Sequence, residues 1–271
     1  MPFRLRLRKA GALINLLGTK LPEFPMANEV TYESKDDIAV ITLNRPERMN
    51  RMDNALMDGL NAAWQRFQAS DDRVAVLTGA GTKAFCAGAD LANPPRGLYH
   101  GVPGVGIQVD KPIIAAVAGW CVGGGMVLTT MCDLMICAEN AVFTYPEVRV
   151  GFSGGLITNL VTRIPHKIAM ELLLIGEQID ARRAYEVGYA NKVVPVEQLM
   201  PEAMAWAAKI AANAPLPTRA LKTWAGQTLP KGPTEIGGIA RYMTDVIDHS
   251  SDWIEGRTAF KEKRAPRFKG K

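Results

Sequence analysis

Glu147 sits in the run Tyr145-Pro146-Glu147-Val148, downstream of two glycine-rich turns. The first turn is Phe85-Cys86-Ala87-Gly88-Ala89-Asp90, and the second is Gly119-Trp120-Cys121-Val122-Gly123-Gly124-Gly125-Met126. Each follows an apolar strand-like run, Val74-Ala75-Val76-Leu77 before the first and Ile113-Ile114-Ala115-Ala116-Val117 before the second. Each precedes a stretch able to open a helix. Two strand-to-helix turns side by side can aim two backbone N–H groups at one point, which is what an oxyanion developing on a carbonyl needs. A carboxylate in a third turn adds proton transfer. Either glycine turn alone reads as ordinary strand–helix packing, and a lone Glu in a loop is usually solvated. Both turns together with Pro146-Glu147 form a chemical constellation. Pro146 disfavours helix at Tyr145 and stiffens the turn, and Phe143, Tyr145 and Val148 give Glu147 apolar neighbours.

The elements that must position these residues alternate. Val30 to Ser34 and Ile38 to Leu43 read as strands around the turn Lys35-Asp36-Asp37. Asp53 can cap a helix running to about Ala69, whose apolar positions Leu56, Leu60, Ala63, Trp64 and Phe67 keep a helical period. Val74 to Thr78, Ile113 to Val117, Leu134 to Cys137 and Ala141 to Thr144 are short buried strands, and a helix runs from the second glycine turn to about Met131. The Gly- and Pro-rich stretch 92–110 is a loop with one helical turn at most. Beyond it the pattern is helical over 153–163, 166–175, 180–187, 196–212, 215–228, 233–250 and 252–262, with a strand near Lys192-Val193-Val194. This order predicts an α/β core with parallel strands followed by a helical region.

Composition excludes several classes. Residues 1–25 hold Arg4, Arg6, Arg8, Lys9 and Lys20 against Glu23, which leaves only +1 of the formal net charge of +5 for the remainder. That is not a nucleic-acid binder's pattern. The basic 1–25 segment reads as a disordered extension, or as a start placed too early with Met26 as the real beginning; a targeting or membrane-surface segment is the competing reading. No apolar run is long enough to span a bilayer, so stable membrane insertion is not expected. Cys86, Cys121, Cys132 and Cys137 lack metal or disulfide-framework spacing, and reduced thiols in a cytoplasmic setting are expected. Cys86 and Cys121 read as small packing residues. His100, His166 and His249 show no partner spacing, so no metal site is expected.

Phe85 to Asp90, Gly123 to Gly125, Cys132-Asp133 and Pro146-Glu147, in this order and spacing, resemble the crotonase (enoyl-CoA hydratase/isomerase) superfamily. The resemblance runs from about Val30 to the C-terminus. It implies a spiral of ββα units over residues 26–195 carrying the active site, and a C-terminal helical region over 196–271 that drives trimerisation, often into a dimer of trimers. It implies an acyl-CoA thioester as substrate, with coenzyme A its only cofactor-like part. The two oxyanion donors fall at the backbone N–H groups of Ala89 and Gly124, and Glu147 matches the family's second catalytic glutamate. Ala87 and Leu91 would meet the adenine, Asp90 would close the turn, and Lys83 would face a phosphate. Phe260 and Lys263 would reach the coenzyme A of a neighbouring subunit.

Two positions depart from the family pattern. The first catalytic glutamate falls at Val127, which cannot exchange a proton, and Gly151-Phe152-Ser153-Gly154-Gly155-Leu156 is short and lacks the usual proline. Ser153 reads as the cap of the next helix. One carboxylate suffices to take a proton from C2 and return it at C4, so the sequence favours isomerisation of a 3-enoyl-CoA to a 2-enoyl-CoA. Hydration of a 2-enoyl-CoA is the alternative, with water placed by Glu147 alone or with an acid such as Glu139. A non-catalytic acyl-CoA-binding protein is the reading of another class.

Overall fold

A computed structural model describes residues 28–270. The basic 1–25 segment lies outside the described residues. The described chain forms two compact units, 28–239 and 240–270.

The first unit opens with the hairpin β1 (Val30–Lys35) and β2 (Ile38–Leu43), paired antiparallel from Val30↔Leu43 to Lys35↔Ile38. Its turn residues Asp36 and Asp37 both take positive φ, 55° and 61°, as a tight hairpin turn demands. Helix α1 (Asn54–Ala69) follows, capped by Asp53, whose carboxylate accepts the Leu56 N–H at 3.1 Å. The apolar stripe predicted from the sequence is its buried face, with Leu56, Leu60, Trp64 and Phe67 fully enclosed.

From there the chain winds. β3 (Val74–Gly79), β5 (Ile113–Val117), β7 (Leu134–Ala138) and β10 (Lys192–Val194) join β1 and β2 in one sheet of order β1-β2-β3-β5-β7-β10. After each of β3, β5 and β7 the chain crosses to a second, smaller sheet for three residues: β4 (Ala84–Cys86), β6 (Trp120–Val122) and β8 (Val142–Thr144), with β9 (Gln178–Asp180) antiparallel at the edge. These are the turns of an α/β spiral, and the inner strands β3, β5 and β7 of the large sheet are nearly all apolar and buried because both their faces are covered.

The short strands change the picture around the glycine turns. Neither turn leaves the large sheet directly, since β4 and β6 are interposed. The second turn does open a helix, α2 (Gly124–Thr130). The first does not; residues 91–97 continue as a loop to a single 3-10 turn at Leu98–Gly101. After Asp90 the chain meets Pro94 and Pro95 and has no apolar period to bury, so no helix starts there.

Residues 153–163 contain a 3-10 helix, Leu156–Thr162, rather than an α-helix. Its N-cap is Gly155 with φ 72°, and Ser153 caps nothing. Then come α3 (His166–Ile175), α4 (Ala181–Glu186), α5 (Leu199–Ala211), α6 (Pro215–Thr228) and α7 (Pro233–Asp248). Leu199, Ala203, Ala207 and Ala211 of α5 pack on Val74, Val76, Ile114 and Ile136 in one apolar cluster, so α5 is part of the sheet's core and no unit boundary falls at 195/196. α6 is tied to the same unit by ion pairs, Arg219 to Asp110 at 2.6 Å and Lys222 to Asp133 at 2.8 Å. Asp133 also accepts the Ile113 N–H at 2.7 Å, which accounts for the Cys132-Asp133 motif as a clasp on β5.

In the second unit, α8 (Ser251–Glu262) is capped by Ser250. Its following tail folds back along it: Arg264 grips Glu255 at 2.6 and 2.9 Å, and Asp252 accepts the N–H groups of Lys269 and Gly270. No described helix is long and apolar enough to cross a membrane.

Candidate active site

β4, β6 and β8 lie side by side and parallel in the small sheet. Parallel neighbours send their C-terminal ends the same way, so segments 87–90, 123–124 and 145–147 leave one edge together. This places the three sequence-predicted turns in one neighbourhood. Glu139 precedes β8 and is exposed, so it stands at the opposite end of that strand from Glu147 and cannot serve as the second acid.

The first turn is held by a segment whose role the sequence did not reveal. Met52 N–H donates to Gly88 O at 2.8 Å and Met52 O accepts from Asp90 N–H at 2.8 Å, a parallel bridge opposite Ala89. In such a bridge Ala89's own N–H points away from Met52. The Ala87 N–H is spent on Met49 O at 3.0 Å. The second turn presents Gly124 as the first residue of α2, where no intrahelical acceptor exists. Among the described residues, neither the Ala89 N–H nor the Gly124 N–H has a hydrogen-bond partner.

The two turns touch through their glycines. Gly88 has φ 84° and Gly123 φ 51°, conformations that favour glycine. A Cβ on Gly123 would stand 4.0 Å from Gly88 Cα and 3.6 Å from Glu147 Oε1. A Cβ on Gly124 would strike Met52 Sδ at 2.6 Å, so the fully buried Met52 braces both turns, one through its backbone and one through its side chain. No pattern in the sequence marks that methionine.

Glu147 is half-buried and its two oxygens differ. Oε2 accepts the Tyr145 hydroxyl and the Gly154 N–H, the latter at 2.9 Å. Oε1 faces the Gly88–Gly123 contact. Of the apolar neighbours expected, Phe143 and Tyr145 are buried, whereas Val148 is exposed. Burial, and then the carboxylate beside it, push the Tyr145 phenol far above its ordinary value, so it remains a donor. Ser153 and Gly155 also lie at the Tyr145 hydroxyl. Val127 is buried on α2, with its N–H bonded to Gly123 O at 3.2 Å. Two unspent amide donors beside one oriented carboxylate oxygen can stabilise an oxyanion and move a proton on a carbon next to it.

Asp90 is buried and closes its turn: one oxygen accepts the Ala92 N–H at 3.1 Å and the other pairs with Arg48 at 2.6 Å. Lys83 and Leu91 are exposed on either side of the first turn, Leu91 at 75%. Phe260, 86% exposed, and Lys263 belong to the 240–270 unit and not to the unit that holds the glycine turns. Cys86 and Cys121 are buried packing residues, and burial pushes the Cys86 thiol up to about 12, so it carries no thiolate at neutral pH.

Comparison with known proteins gives the family. The sequence matches the family described as enoyl-CoA hydratase/isomerase over residues 33–102 and 105–271. It is 40% identical over 256 residues to (E)-benzylidenesuccinyl-CoA hydratase of Thauera aromatica, covering 89% of this chain and 99% of that protein. It is 35% identical to carnitinyl-CoA dehydratase of Proteus mirabilis, covering 91% of this chain and all of that one. The fold is similar to the crystal structure of carnitinyl-CoA hydratase from Mycobacterium avium, with a TM-score of 0.71 at 34% identity over 90% of this chain and 99% of that chain. With its spiral, its paired glycine turns and these matches along most of its length, the chain belongs to the enoyl-CoA hydratase/isomerase (crotonase) family of enzymes.

Proposed function

We propose that this enzyme catalyses reversible hydration of a 2-enoyl-CoA thioester through an enolate, with Glu147 as its single acid–base group. The observation that carries the reading is the orientation of Glu147 Oε1 toward the Gly88–Gly123 contact, one residue before each of the unspent N–H groups of Ala89 and Gly124. In the forward direction Glu147 takes a proton from water as the water oxygen bonds to C3. The electron pair of the double bond moves through C2 onto the thioester oxygen, where the two N–H groups hold it. The protonated Glu147 then gives its proton to C2 and the carbonyl reforms. One carboxylate closes this cycle, so Val127 does not preclude it. The relatives named above are hydratases or a dehydratase, and this supports water addition over the isomerisation favoured by the sequence.

Isomerisation of a 3-enoyl-CoA is the second reading, favoured by Val127 at the place of a second acid. Glu147 would remove the C2 proton and return it at C4. Both readings take coenzyme A as part of the substrate, with Lys83, Ala87, Asp90 and Leu91 along its path and Phe260 and Lys263 contributed by a neighbour in a trimer or dimer of trimers. A side-by-side assay of 2-enoyl and 3-enoyl thioesters of several lengths separates the two reactions. Faster hydration is expected, and faster 3-enoyl turnover would overturn that choice. Glu147→Gln should lower kcat by roughly 10²–10⁴-fold while coenzyme A thioester affinity persists. Near-wild-type turnover in that variant would remove Glu147 from the mechanism.

A further inference from the structure

The oxygen of Glu147 that does not face the glycine turns is fixed from behind. Its partner, the Gly154 N–H, is one residue from Gly155, and Gly155 is clasped by the start of α7. Thr234 Oγ1 donates to Gly155 O at 2.7 Å, and the same carbonyl accepts Thr158 Oγ1 at 2.8 Å. The fit is close: a Cβ on Gly155 would meet Thr234 Cγ2 at 2.5 Å. The next residue, Glu235, is buried beneath this contact, accepting Asn159 Nδ2 at 3.1 Å and pairing with Lys231 at 2.7 Å. Asn159 in turn accepts Thr162 Oγ1 at 2.6 Å, so the whole 155–162 turn is pinned to α7 by hydroxyl and carboxylate contacts.

We propose that Thr234 is a positioning residue for Glu147, acting through Gly155 and the Gly154 N–H, with Glu235 holding the same turn from below. This rests on the reading of Glu147 as the base. The turn lacks the proline expected of the family pattern and contains Gly151, Gly154 and Gly155, so its own backbone is free to take other conformations. The hydroxyl of Thr234 selects the one in which the Gly154 N–H reaches Oε2. Without it the carboxylate keeps the Tyr145 hydroxyl but loses its second restraint, and Oε1 is no longer held toward the substrate carbons.

The test reads proton transfer directly. In D2O a base that works through an enolate exchanges the C2 protons of butyryl-CoA, a saturated thioester that can be neither hydrated nor isomerised. Mass spectrometry follows the exchange. Thr234→Val, and Thr234→Ala as a less crowded companion, should slow exchange by roughly 10- to 100-fold with butyryl-CoA affinity unchanged. Thr234→Ser, which keeps the hydroxyl, should restore it. A merely structural threonine would alter the melting temperature but not the exchange rate of the folded protein. Wild-type exchange in folded Thr234→Val or Thr234→Ala, or a serine variant as slow as the valine one, overturns the proposal. So does a Gly154 amide in the wild-type protein that shows no protection from hydrogen exchange. If Glu147→Gln also exchanges at the wild-type rate, the reading of Glu147 itself fails. If that variant is silent and Thr234→Val is not slowed, only the positioning role fails.

Discussion

Tyr145 and Gly154 divide the labour of the Glu147 carboxylate by occupying one oxygen and leaving the other facing the glycine turns. Burial keeps the phenol protonated, so this restraint does not switch off across the pH range in which enzymes of ordinary stability work. Gly123 is the residue at which the arrangement is most easily broken. Its φ of 51° with ψ −111° lies outside the ordinary regions for a side-chain-bearing residue. A methyl there would lie in van der Waals contact with Glu147 Oε1 and Gly88, on the side the carboxylate oxygen faces. Gly123→Ala should cost about 1–3 kcal/mol of stability and lower kcat/KM by roughly 100-fold. A urea titration and steady-state kinetics on the same preparation check both numbers, and unchanged kinetics would mean that substrate does not pass that contact.

At the scale of elements, the start of α1 is coupled to the site by the 45–53 segment, which carries both the cap and the Met52 bridge. Asp53 is buried and would by that alone titrate high, yet its ion pair with Arg45 at 2.6 Å and the Leu56 N–H hold it below its ordinary value. A carboxylate depressed in the folded state stabilises the fold fully above its unfolded pKa of about 4. That contribution is lost as pH falls through the lower folded value. Denaturant midpoints measured from pH 6 downward should therefore decline below about pH 4, and Asp53→Asn should flatten part of that decline. Asparagine caps as well as aspartate, so the cost of the substitution comes from Arg45, left buried without its counter-ion. That cost should be about 3–5 kcal/mol, against the ~1 kcal/mol of a lost cap. A loss at the lower figure would show that Arg45 finds another partner.

At the scale of the molecule, the spiral solves a placement problem. Three strands of the large sheet each feed one three-residue strand of the small sheet, so loops 87–90, 123–124 and 145–147, far apart in sequence, end on one edge. None of the three needs to be long or mobile, because the strands beneath fix their exits. A site built this way is largely formed before substrate arrives. A saturated acyl-CoA present at 100 times its Kd should then raise unfolding free energy by about 2.7 kcal/mol, seen as a melting temperature higher by roughly 5–10 °C. Glu147→Gln should show the same increase, since binding and proton transfer use different groups. A ligand that leaves the melting curve of both proteins unmoved would argue against a preformed thioester site.

Much of this was legible in the order of residues. Asp53 marked the start of α1, the apolar period of Leu56, Leu60, Trp64 and Phe67 its buried face, and the runs 74–78 and 113–117 their strands, because cap chemistry and periodicity are local properties. The two glycine turns and Glu147 declared themselves by type and order. The short strands β4, β6 and β9 did not, since three residues hold no period to read. Nor did Ser153, whose capping role vanished once the turn closed on Gly155. Met52, Gly154 and Thr234 carry no signal of their own; they matter only because of what the chain brings beside them. Neighbourhood in a sheet is decided by strand order, and β4-β6-β8 is a pairing across long stretches of chain that no local preference encodes. Which chemistry the chain can do was written in its residues; which atoms face one another was decided by packing.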